Sequence, residues 1–264
     1  MKVRLLIVAV VLSLGASLNA QDTIFTDRPT VTFSPTTLPK SWFQVETGFN
    51  YQVSDAQLAG NLISGLKLNE VLYNGLLVRF GLTENFELRL NNEISQNRFQ
   101  LDGKTTFEDD VLYAPTTIGF KWRLLKSSVK WPEISVLGHF GGNVFSDIQT
   151  GSVADLALLF KSRLFESFNL DYNIGLLLED DLKLATFTYS GVASKQVSQR
   201  VGTFAEFFGS RTQEQNPLFS FNFGLTYLLT NTLQVDAYGG TGVNKESPNY
   251  FFGFGISKLF LPNK

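Results

Sequence analysis

The chain has 264 residues, with 24 acidic against 22 basic side chains and a formal net charge of −2, which excludes the strongly basic face that nucleic-acid binding requires. It has no cysteine, so disulfide staples and thiolate metal sites are excluded as well. Phenylalanine occurs 25 times and charged residues make up only 17%, a balance that fits strands facing lipid better than strands facing water.

The N-terminus carries Lys2 and Arg4, then the apolar run Leu5 to Leu14, then small and polar residues up to Asn19 and Ala20. That layout predicts a secretory signal peptide over 1–20, with Gln21 as the new N-terminus. The apolar run is well short of the roughly 20 residues a spanning helix needs. No later stretch is long and apolar enough either, so a membrane would have to be crossed by strands.

Residues 21–40 hold Asp27-Arg28-Pro29 and read as an N-terminal lead or plug, because proline cannot continue a hydrogen-bonded ladder. Two arrangements stand: entry into a barrel lumen, or a periplasmic cap on the barrel base.

From residue 41 onward the period is two. Phe86, Leu88, Leu90, Asn92 and Ile94 form a mostly apolar face that alternates with the polar Glu87, Arg89, Asn91, Glu93 and Ser95. Ile118, Phe120, Trp122 and Leu124 alternate with Thr117, Gly119, Lys121 and Arg123, and Phe219, Phe221, Phe223 and Leu225 with Ser220, Asn222, Gly224 and Thr226. Turn-forming clusters divide the chain into twelve strands near 41–53, 68–81, 86–98, 112–126, 131–143, 153–165, 168–180, 185–197, 200–211, 217–229, 232–243 and 249–260. The strands near 185–197 and 200–211 alternate least clearly. Tight connections such as 82–85 and 230–231 alternate with longer polar ones at 54–67, 99–111, 144–152 and 212–216, which places both termini on the periplasmic side.

Period alone does not separate a soluble sandwich from a membrane barrel. The apolar faces are almost solidly Phe, Leu, Ile, Tyr and Trp, while the opposite faces carry Gly, Ser, Thr, Asn and both charge signs. The expectation is therefore an all-β fold, an antiparallel up-and-down transmembrane β-barrel of about 12 strands over 41–260, with a short tail at 261–264. Trp42, Trp122, Trp131, Tyr51, Tyr227 and Tyr250 fit interfacial girdles.

Parity sends Glu46, Arg79, Glu87, Arg89, Glu93, Lys121, Arg123, Glu133, Asp155, Lys161, Arg163, Asp171, Glu206 and Asp236 into the lumen. Arg79, Glu87, Arg89, Glu93, Lys121 and Arg123 concentrate on the second to fourth strands, and with His139 they are the candidate pore lining. Such charges either line a pore or neutralise one another in buried pairs. His139 is the sole histidine; without a GxSxG elbow or a second histidine it reads as a hydrogen-bonded lumen residue before it reads as a hydrolase base or zinc ligand. Glu108-Asp109-Asp110 and Glu179-Asp180-Asp181 fall in outer loops, as solvated ends or weak cation sites.

Thr26-Asp27-Arg28-Pro29-Thr30, Ser34-Pro35, Leu38-Pro39-Lys40 and Gln44-Val45-Glu46-Thr47-Gly48 resemble the opening of the bacterial outer-membrane barrels of the MetA-pathway phenol degradation family. Gly81-Leu82-Thr83-Glu84-Asn85-Phe86-Glu87-Leu88-Arg89 looks like that family's hairpin after the second strand, and the resemblance runs from about Asp22 to Phe260. It implies a location in the bacterial outer membrane and passage of small organic molecules, aromatic or hydrophobic ones included, with no catalytic residues to carry over. The expected function is thus a passive channel or transporter, neither an enzyme nor cofactor-dependent, whose partners are the outer-membrane bilayer and a small solute. A non-conducting structural or adhesive barrel is the alternative.

Overall fold

A computed structural model describes residues 23–58, 61–128, 131–142, 151–165 and 168–262; the signal peptide expected over 1–20 lies outside them. Every regular element among the described residues is a strand. They run β1 (Phe43–Leu58), β2 (Asn61–Thr83), β3 (Phe86–Leu101), β4 (Lys104–Glu108), β5 (Leu112–Tyr113), β6 (Thr116–Leu125) and β7 (Glu133–Gly142). Then follow β8 (Val153–Phe165), β9 (Phe168–Glu179), β10 (Leu184–Gln196), β11 (Val201–Thr212), β12 (Leu218–Thr230), β13 (Leu233–Gly242) and β14 (Tyr250–Phe260).

Each wall strand pairs antiparallel with its sequence neighbour, β3 passing directly to β6, and β14 returns to β1 with Phe43 opposite Phe260 and Val53 opposite Tyr250. The result is a closed barrel of twelve strands, while β4 and β5 are short additions on the far end of β3. Closure leaves no unpaired wall edge, the condition for placing backbone amides in hydrocarbon.

Burial is inverted relative to a water-soluble sheet. Ile118 is 67% and Phe223 63% exposed, whereas their lumen-side neighbours Lys121 and Asn222 are 0% and 1% exposed. The outer face carries aromatic pairs across strands, such as Phe49 with Phe254 at 5.1 Å and Phe160 with Tyr172 at 5.0 Å between centroids. A sandwich would bury these rings; here they are the surface that hydrocarbon covers.

The shortest wall strands, β6, β7 and β13, have 10 residues, enough to cross a bilayer when tilted. β2 has 23 and projects well beyond. Two polar segments expected as loops, 54–67 and 99–111, are therefore largely strand: β1 and β2 extend into a hairpin held by the Asp55–Lys67 ion pair, and β3 continues into β4. The strand expected over 112–126 is divided at Ala114-Pro115, where proline has no N–H to give β3. The poorly alternating 185–197 and 200–211 are regular strands, paired from Thr186–Thr212 to Gln196–Gly202. Their outward faces include Ala185, Ala193, Ala205 and Gly209, too small to register as an apolar stripe.

Candidate functional site

The residues ahead of β1 lie against side chains that point inward from opposite walls. Ile24 N–H donates to Asn231 O on the short-turn rim at 2.7 Å, and Val31 and Thr32 reach Glu206 on β11. The chain then returns: Ser135 on β7 donates to Pro35 O, and Thr37 Oγ1 donates to Glu84 O, back at the same rim. This inner segment thus rises into the lumen and descends again within the half next to the short-turn rim. Leu38, Leu137, Leu159, Val192 and Phe204 are buried in this region, and Pro29 and Pro35 are buried with them.

The charged residues expected from parity converge on Asp27. Its carboxylate accepts from Arg89 Nη1 at 2.6 Å and from Lys121 Nζ at 3.0 Å, with Arg79 Nε 3.9 Å away. Glu87 accepts from Arg79 at 2.9 and 3.0 Å, from Arg89 at 2.8 Å and from the Leu38 N–H at 2.8 Å. Glu46 accepts from the N–H groups of Asp27 and Arg28, from Gln44 Nε2 and from Arg79 Nη1. Three carboxylates thereby face three cations, all of them buried. Asp27 precedes the first strand, and although burial alone would raise its pKa, Arg79, Lys121 and Arg89 hold it far below the ordinary carboxylate range.

Arg28 occupies a second receptor. Its Nη2 lies 3.0 Å from Asp236 Oδ1, and its guanidinium rests on Gly48 and Gly255, directly opposed residues of β1 and β14. A Cβ at either glycine would collide with that guanidinium. The Arg28–Pro29 peptide is cis. The Asp-Arg-Pro and Gln-x-Glu-x-Gly motifs are therefore the two halves of one docking site: Glu46 binds the backbone of Asp27 and Arg28, and Gly48 makes room for the Arg28 side chain.

Above the segment the barrel is open. A cavity of about 1320 Å³ has residues 27–31 and Phe33 in its lining, and polar wall residues such as Gln52, Asn91, Ser190 and Asn222 around it. Of the seven candidate pore residues, Glu93 and His139 line this cavity. Arg79, Glu87, Arg89 and Lys121 lie in the ion-pair cluster, and Arg123 bonds Glu84 O, Asn85 and Glu133 at the short-turn rim. His139 joins the two regions: Arg89 Nε donates to its Nε2 at 3.1 Å, which fixes the Nδ1–H tautomer that donates to Asp155 at 2.9 Å.

Parity placed Glu206 and Asp236 inside but did not single them out, and Gly255 carried no signal beyond facing the same side as Ser257. The acidic loops form no metal-binding group among the described residues: Glu108 pairs with Arg98, and Asp181 caps the Ser152 N–H.

A closed barrel of twelve antiparallel strands, apolar outside and polar within, defines the protein as a β-barrel of the bacterial outer membrane. Residues 26–260 match the family described as "Putative MetA-pathway of phenol degradation", and the chain belongs to that family. In fold it is similar to an outer membrane channel from Pseudomonas putida F1, at TM-score 0.70 and 12% identity over 85% of this chain and 97% of that one. It is also similar to the β domain of the Bordetella autotransporter Brka, at TM-score 0.58 and 8% identity over 84% and 100% of the two chains. The translocator domain of the autotransporter NalP from Neisseria meningitidis superimposes at TM-score 0.55 and 10% identity over 84% and 90%. No curated protein matches the sequence.

Proposed function

We propose that the protein is a passive outer-membrane channel for small organic solutes, in which the inner segment is a resident plug that narrows the periplasmic half of the lumen. The observation that carries this reading is the division of the interior. A cavity of about 1320 Å³ leads down to a floor made by residues of the N-terminal segment rather than by the barrel wall. A twelve-stranded barrel lies between eight-stranded ones filled by side chains and the open sixteen-stranded porins, so a narrow path past a plug suits its diameter. Its likeness to a Pseudomonas putida F1 outer membrane channel points the same way.

In this reading Glu93 and His139 face the solute, while Arg79, Glu87, Arg89, Lys121 and Arg123 set the pore indirectly by holding the plug and its base. No catalytic role is proposed for His139, because both ring nitrogens are engaged, by Arg89 and by Asp155. Purified protein in a planar bilayer should give discrete conductance steps; silence at every voltage and salt concentration would defeat the proposal. One observation favours a second reading, a non-conducting structural or adhesive barrel: the inner segment touches β3 and β6 on one side and β11 and β13 on the other. The same recording decides between the two.

A further inference from the structure

The two halves of the lumen differ in charge balance. In the lower half every basic side chain of the Asp27 cluster is matched by a carboxylate. The cavity above is lined by seven carboxylates, Asp27, Asp55, Glu93, Asp155, Glu179, Asp180 and Glu246, against the guanidinium of Arg28 and the imidazole of His139. Three of the seven are partnered: Asp27 by Arg89 and Lys121, Asp55 by Lys67 and Asp155 by His139. Arg28 is itself bound to Asp236. Glu93, Glu179, Asp180 and Glu246 make no ion pair with a described residue.

A second, independent feature points to a ligand. Asn222 lines the same cavity, is 1% exposed, and gives its Nδ2 to Glu206 at 3.0 Å, yet its Oδ1 is a buried acceptor with no donor. A buried acceptor left empty is costly, so a solute that supplies a donor gains against one that does not. The lining also presents aromatic rings, including Phe33, Tyr238 and the edge-packed pair Phe208–Phe251, whose centroids are 5.9 Å apart. Ring faces attract cations, and organic cations most when water is excluded.

From the excess carboxylates, the unfilled acceptor of Asn222 and the aromatic lining together, we infer that the outer chamber is a binding site for small organic cations, primary amines above all, and that it favours cations over anions in passage. This rests on the channel reading for passage but not for binding. The acidic lining concentrates cations at the mouth, and added salt screens the effect within about 8–10 Å.

The test uses the full chain and three probes of one shape: benzylammonium, benzyl alcohol and benzoate. Calorimetric titration of the detergent-solubilised protein should show benzylammonium binding at least about tenfold more tightly than either of the others. Asn222→Leu should weaken it about tenfold while heat-modifiable gel migration stays that of the folded barrel. In bilayers the cation-to-anion permeability ratio should exceed about three at 0.1 M KCl and fall toward one at 1 M. The double change Glu93→Gln and Glu246→Gln should abolish most of that preference. Equal binding of benzyl alcohol and benzylammonium, tighter binding of benzoate, or anion preference would overturn the inference. Amine binding without any conductance would uphold the site and remove the channel.

Discussion

The half of the lumen at the short-turn rim and the half beyond it, built from the same strands, solve opposite problems. Below, the inner segment brings Asp27 into a cluster with Arg79, Arg89 and Lys121, and opposite charges meet at 2.6–3.1 Å with little exposure to water. Above, the carboxylates stand around open space, and Arg28 is the one arginine or lysine in the described lining. Parity assigns a side chain to the inside of a barrel without saying whether it meets water or protein there. Burying a charge is tolerable only with a partner, so the lower half depends on each of its members far more than the upper half does.

The largest effect should follow from breaking the lower half at its hub. Asp27→Asn removes the one carboxylate that accepts hydrogen bonds from both Arg89 and Lys121 and leaves three buried cations facing two carboxylates, a loss of about 3–5 kcal/mol, enough to undock the segment. Because the chain has no cysteine, Thr37→Cys provides a unique reporter on the buried segment. Its reaction with a charged thiol reagent should be slow in the parent and faster by orders of magnitude with Asp27→Asn. Unchanged labelling would mean that Asp27 does not hold the segment.

Next come the glycines. A side chain at Gly81 would press on the Pro39 carbonyl, which is backbone and cannot step aside, whereas at Gly48 or Gly255 it would meet the movable end of Arg28. Gly81→Ala should therefore destabilise by about 1–3 kcal/mol, and Gly255→Ala should cost less, chiefly through the lost Arg28–Asp236 pair. Urea midpoints in one detergent would show the order, and a reversed order would contradict the Arg28 slot.

Smaller again is Glu206→Gln, which keeps one acceptor where the carboxylate takes the Val31 and Thr32 N–H groups, the Thr32 hydroxyl and Asn222. It should cost about 1–3 kcal/mol and raise the labelling of Thr37→Cys modestly. The smallest effect belongs to Glu108→Gln, in the exposed Arg98–Glu108 pair outside the lumen, where water screens the interaction and the urea midpoint should barely move.

The lower half also has a pH signature. The folded pKa of Asp27 is depressed, so its contribution is fully present above about 3.9, the unfolded value, and is lost only as pH falls through the much lower folded value. With a reagent whose reactivity is corrected for thiolate fraction, Thr37→Cys labelling should not change between pH 5 and 7.

Much of this was legible in the sequence where lipid enforces a pattern. Phe86 to Ser95 and Phe219 to Thr226 alternate because one face meets hydrocarbon and the other the lumen, and both are strands. The pattern failed at 54–58 and 61–67, because strands that project beyond the membrane have no apolar face to keep. The inner site was half legible: Asp-Arg-Pro and Gln-x-Glu-x-Gly stood out as motifs, and Glu46 and Arg79 had inward parity. Their joining was not, since the contacts span the chain, Thr32 to Glu206 across 174 positions and Arg28 to Asp236 across 208. Only the closure of β14 on β1 brings Gly255 beside Gly48.

The measurement that bears most directly on the division of the lumen is single-channel conductance of the full chain against a variant lacking residues 23–40, with both first shown to be folded by heat-modifiable migration. Discrete small steps from the full chain and several-fold larger ones from the variant are predicted. Equal steps from the two would contradict the inner segment as the element that sets the pore.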